Sequence, residues 1–214
     1  MEHARGPMPT TRRRHCDGRY ARFGVRSAVI TGHIGVAGLL SATAKRKFST
    51  GALVALALAA VCPDTLDGLF FFVGFCSPYG LYTHTLYSVL LQAAVLGGAA
   101  YLITDSRAQG ALYASAVLLH LGADLFTGQK ILFPGGEMHG LYFYNHPLWD
   151  FALEAPLVVL GWFVARRSAV SSSWITSGGM LLSILAVQVV FDITMHSRNT
   201  RKPTACFHAT TLRS

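Results

Sequence analysis

Six stretches of this chain run almost without charge: Ser27–Ala44, Thr50–Val61 continuing after a break into Leu69–Phe75, Leu81–Ile103, Gln109–Phe126, Phe151–Ala165 and Trp174–Ile193. Segments of this length and polarity leave few options. A backbone without water nearby must satisfy its own hydrogen bonds, and a helix does so within one segment. The spacing therefore predicts six helices in an all-α, polytopic membrane bundle. Several runs fall short of the roughly 20 residues that a perpendicular crossing needs, so flanking residues must extend them or insertion must be partial. Polar punctuation separates the runs at Lys45-Arg46-Lys47, Ser77-Pro78-Tyr79-Gly80, Thr104-Asp105-Ser106-Arg107, residues 127–150 and Arg166-Arg167.

Composition supports this division. Charged residues make up 13% of the 214 and apolar residues 52%, against a charged share of about 25% in soluble domains. Disorder is excluded and a solvated globule is disfavoured. The net charge of +8 does not indicate a nucleic-acid partner, because most basic residues lie in the tails and at the ends of apolar runs. Residues 1–26, with seven arginines, read as a basic tail, disordered or belonging to a start assigned too early, with Val25 as the alternative start. Residues 27–194 form the helical domain and residues 195–214 a second basic tail. Cys16, Cys62, Cys76 and Cys206 show no metal or disulfide spacing and read as ordinary thiols.

Function is sought among residues that do not belong in such a chain, because a carboxylate or imidazole in a bilayer is costly unless paired. They are His33, Asp64 and Asp67, His84, His120 with Asp124, and His146 with Asp150 and Glu154. His120 and Asp124, at i and i+4, share a helix face, as do Asp150 and Glu154. Imidazole with carboxylate is the donor set of zinc and similar divalent metals. Each residue also has a plainer reading. His33 could pack as an interfacial histidine, Asp64 could cap a helix, and His139 and His146 fall in a loop where exposure is the default. Tyr142, Phe143, Tyr144 and Trp149 read first as an interfacial aromatic belt.

Counting six successive crossings places all of these candidates at one membrane face, the N-terminal side, with Asp192 alone beside them. The loops of the other face hold Lys45, Arg46, Lys47, Arg107, Arg166 and Arg167, against Lys130 on the candidate side. The short loops therefore put the site outside the cytoplasm, while the basic tails point the other way.

The series Gly32-His33, Pro63-Asp64-x-x-Asp67, Thr83-His84-Thr85 and His120-x-x-x-Asp124-x-x-Thr127-Gly128, with Pro134 downstream, resembles a prokaryotic family of membrane-bound metal-dependent hydrolases, some described as LexA-binding inner-membrane proteins. The likeness spans roughly residues 30–160. That family is distantly similar to zinc-dependent phospholipase C, so the resemblance implies a helical phosphoesterase-like site with His33, Asp64, His84, His120 and Asp124 as metal ligands. The chain departs from the family at Ser77–Tyr82, where many relatives carry His-Arg-Gly, and Thr85 stands in place of a serine.

The expectation is a metal-dependent hydrolase of the inner membrane, acting on a phosphoester or lipid-linked substrate through metal-activated water. Zinc is the expected cofactor, and membrane lipid is the expected partner. His146 joins the metal ligands, while Asp67, Asp150 and Glu154 are the candidates for bridging, general-base or orienting roles. The rival is a non-catalytic membrane protein with a structural metal or an ion or proton path. Haem ligation ranks third, because a carboxylate accompanies each intramembrane histidine.

Overall fold

The computed structural model describes residues 30–44, 47–73, 81–141, 143, 146–168 and 174–199. Residues 1–29 and 200–214, with Cys16 and Cys206 and most of both basic tails, lie outside these, as do Lys45, Arg46, residues 74–80 with Cys76, Tyr142 and Tyr144. Among the described residues seven α-helices follow one another: α1 (Ile30–Leu40), α2 (Thr50–Ala60), α3 (Cys62–Phe72), α4 (Leu86–Thr104), α5 (Arg107–Thr127), α6 (Pro147–Ser168) and α7 (Gly178–Asn199). Between α5 and α6 a two-residue ribbon pairs β1 (Lys130–Ile131) antiparallel with β2 (Met138–His139).

Six apolar runs become seven helices because the second run is broken by chemistry. Pro63 lacks the N–H that the Ala59 carbonyl would take in a continuous helix. The axis bends by 60° between α2 and α3. Ser49 caps α2, Thr85 caps α4 and Ser106 caps α5, each side chain accepting a backbone N–H of the first turn.

The six-crossing expectation is not matched by helix length. Among the described residues three helices are long and apolar enough to span a membrane, Leu86–Thr104, Arg107–Thr127 and Leu148–Ser168, or four if the bent α2–α3 pair counts as one span. At 1.5 Å per residue α4 is about 28 Å long and α5 about 31 Å, close to the hydrocarbon thickness, whereas an 11-residue helix such as α2 reaches only about 16 Å. The long helices turn apolar side chains outward, among them Leu91 and Leu102 on α4, Phe126 on α5 and Leu160 on α6. That is how a bundle meets lipid.

Packing inside the bundle depends on small residues. α1 lies against α6 so closely that a Cβ at Gly35 would stand 2.6 Å from the Leu157 backbone, and one at Gly38 would run into Gly161. α4 and α5 meet in the same way at Gly97 and Gly110. Close backbone approach through glycine is how membrane helices associate, since lipid removes the hydrophobic drive between them. A core of Leu53, Leu56, Val89, Ala116, Val117 and Leu121 fills the space among α2, α4 and α5.

Candidate metal centre

Four residues from three separate parts of the chain converge on one point. Asp64 comes from the first turn of α3, His84 from the turn before α4, and His120 and Asp124 from α5. All four are buried, and their ligand atoms lie within 4.8 Å of one another. The bend at Pro63 turns Asp64 toward α5, and the α-helical repeat stacks Asp124 one turn beyond His120.

The hydrogen bonds set the tautomers. His120 Nδ1 lies 2.7 Å from the Ala60 carbonyl at the end of α2, so that nitrogen donates and Nε2 keeps its lone pair. His84 Nδ1 lies 2.6 Å from Thr83 Oγ1, and the Thr83 hydroxyl donates to Asp67 Oδ1 at 3.2 Å. Two acceptor nitrogens, His84 Nε2 and His120 Nε2, then face each other at 3.1 Å. Around them stand Asp64 Oδ1, 3.1 Å from His84 Nε2 and 3.8 Å from His120 Nε2, and Asp124 Oδ2, 3.2 Å and 3.4 Å away.

This arrangement fits a cation. Converging lone pairs and carboxylate oxygens repel one another unless positive charge lies among them. Four ligands about 2.0–2.1 Å from a tetrahedral zinc stand about 3.3 Å apart, close to the spacing here. Donation of the opposite ring nitrogen to a carbonyl, or through a hydroxyl to a carboxylate, is also how metal-binding histidines are oriented. Burial, with Lys130 nearby, holds His84 below the ordinary histidine range and so favours the neutral ligand form.

His33 adjoins the four. Its Nε2 lies 3.2 Å from Asp124 Oδ1 and 3.8 Å from Asp64 Oδ2, and its ring lies against His120, tilted by 31° with centroids 3.8 Å apart. Asp67 stands one step back, reaching His84 through Thr83. His146 is different: it is exposed at the start of α6 and lies outside the cluster. Its neighbour Pro147 opens the helix, which leaves the His146 carbonyl accepting from the amides of Trp149 and Asp150.

Asp150 and Glu154 are buried on another face. Glu154 Oε2 accepts from Thr31 Oγ1 at 3.2 Å, and the carboxyls acting on it are Asp150 and Asp192. Asp192, which the topology count left alone, thus faces Asp150 and Glu154, and Gln188 donates to it at 2.9 Å. Glu154 Oε1 and Asp150 Oδ1 have no hydrogen-bond partner among the described residues. The pair therefore sits with Thr31 of α1 and Asp192 of α7, and among the described residues it makes no hydrogen bond to the histidines.

One participant was not singled out as a site residue. Lys130, counted from sequence only as a loop charge, is buried in β1 with Nζ 3.0 Å from Asp124 Oδ2. Burial works against its charge, but Asp124 and Asp64 outweigh burial and hold the ammonium above its ordinary range. The available signal was a balance of charge: two buried aspartates require a cation, and Lys130 lies just beyond Asp124 in sequence. No family model, curated protein or solved structure matches this chain.

Proposed function

We propose that this chain is a membrane-bound metal-dependent hydrolase of the family its motifs resemble, with zinc held by Asp64, His84, His120 and Asp124 and with His33 beside them. The observation that carries the reading is the convergence of two imidazole lone pairs and two buried carboxylates, drawn from distant segments, on one point. The chemistry that a bound divalent ion supplies is acidification of water and polarisation of an ester under attack. Asp67, through Thr83, fixes the plane and tautomer of His84. The Ala60 carbonyl does the same for His120, and Lys130 balances Asp124. A phosphoester or lipid-linked substrate suits a site among membrane helices, because an amphiphile can enter from the bilayer. The location we propose is the inner membrane of a prokaryote, in a bundle of about six helices, with the centre on the extracytoplasmic side.

Metal analysis of the purified protein tests this. Stoichiometric zinc is expected, with phosphodiesterase or phosphatase turnover. Both should fall to background in His120→Ala and Asp124→Ala while the protein remains inserted. Unchanged zinc in the two variants refutes the site.

A second reading rests on burial. His33 and His120 are 0% exposed, His84 and Asp124 1%, and Asp64 6%. A site closed by protein on all sides is the form that structural metals take. Stoichiometric zinc without turnover on any phosphoester selects it.

A further inference from the structure

The centre carries a cation of its own. Lys130 Nζ stands 3.0 Å from Asp124 Oδ2, and both side chains are almost fully buried. Backbone fixes it there. Lys130 pairs with His139 across the ribbon. The Leu86 amide, at the start of α4, donates to the Leu132 carbonyl at 2.9 Å. Gly140 adopts φ +133° so close to Gly128 that a Cβ would strike the Gly128 carbonyl. The ammonium is thus delivered into the cluster by a folded ribbon anchored beside His84.

Charge balance then says what it is for. In the loaded centre the ligand imidazoles must be neutral, and the buried charges that the protein brings are the carboxylates of Asp64 and Asp124 and the ammonium of Lys130, a net of minus one. Asp67 also acts on Lys130, as the weakest of the contributions, from a half-buried position where solvent screens it. Two carboxylates would neutralise a divalent ion unaided. With Lys130 present the loaded centre is left with a surplus positive charge where burial makes unpaired charge costly. An anion removes the surplus.

We propose that Lys130 is the anion-binding residue of the metal-loaded centre: it is the counter-ion of Asp124 until a divalent ion takes over that carboxylate, and it then holds an anionic oxygen of the phosphate class. This rests on the metal reading above. Lysine binds phosphate as a point charge, without a forked geometry. The order of events follows, metal first and anion second.

The full chain in detergent, stripped of metal and then loaded with zinc, is titrated with inorganic phosphate and, separately, with a short-chain phosphatidic acid. Wild type, Lys130→Met and Lys130→Arg are compared. Wild type should bind phosphate only when loaded, Lys130→Arg should retain binding, and Lys130→Met should lose about tenfold or more. Chelator competition should show Lys130→Met taking zinc about tenfold more tightly, because the competing ammonium is gone. Binding of phosphatidic acid alone assigns the anion to a lipid headgroup, and binding of inorganic phosphate assigns it to free phosphate; either supports the proposal. Loaded wild type that binds neither, or Lys130→Met that binds as wild type does, overturns it while the metal centre stands. Wild type that takes up no zinc overturns the metal centre, and this proposal falls with it. If Lys130→Met does not fold, Lys130→Gln, which keeps donors without charge, serves the same comparison.

Discussion

At the scale of single residues, the Thr83-His84-Thr85 turn assigns three tasks to three neighbours. Thr85 caps α4, His84 points Nε2 into the cluster, and Thr83 links His84 to Asp67. Gln92 holds the turn by donating to the Thr83 carbonyl at 2.8 Å. If Thr83 sets the tautomer of His84, Thr83→Val should lower zinc affinity by about 10- to 100-fold, and Thr83→Ser should restore it. Chelator competition measures both; equal affinities would mean that the hydroxyl orients nothing. The histidines and aspartates could be found from sequence because intramembrane ionisable groups are rare enough to be conspicuous. For Lys130 the sequence offers only its place just beyond Asp124 and the charge that two buried aspartates require; that it meets this carboxylate is decided by folding.

At the scale of elements, α1 and α6 make the scaffold that carries His33. Gly35 and Gly38 let the two backbones touch at Leu157 and Gly161, and Thr31 ties the first turn of α1 to Glu154. Gly161→Leu should therefore pry α1 from α6, displace His33 and lower thermal stability by several degrees or more. Gly98→Ala, where a Cβ meets nothing within 4 Å, should be neutral or stabilising by up to about 1 kcal/mol through helix propensity. Thermal unfolding in detergent compares them. A Gly161→Leu protein as stable as wild type removes the glycine contact as the reason for this packing. The glycines are visible in the sequence, but which helix each of them faces is not.

At the scale of the whole molecule, zinc would join α3, α5 and the turn before α4, so its removal should loosen segments far apart in sequence. Chelation should lower the unfolding temperature by roughly 5 °C or more relative to the zinc-loaded protein, and readdition should restore it; an unfolding temperature insensitive to chelator would argue against a bound ion. Orientation is tested at Glu137, exposed in the connection between β1 and β2. With native cysteines replaced, Glu137→Cys should react with an impermeant thiol reagent in intact cells. Reaction only after lysis would place the centre in the cytoplasm. Lys130 bears on this too, because its charge is balanced within the cluster and no longer counts toward the topology of the loops.

The sequence by itself determined the helical class and the apolar runs, because the period and polarity of a segment decide whether it can satisfy its backbone in lipid. It also determined the candidate metal chemistry, because His120 and Asp124 lie one turn apart on any helix. Tertiary structure decided the rest. The Pro63 bend split one run into two helices and brought Asp64 to the histidines, and helix length left three spans among the described residues, or four if the bent pair is one. Packing of α6 on α1 and α7 put Asp150 and Glu154 with Asp192, away from the histidines, and the ribbon turned Lys130 inward. These outcomes depend on distances between residues remote in the chain, set by which surfaces pack together, and no local pattern encodes them.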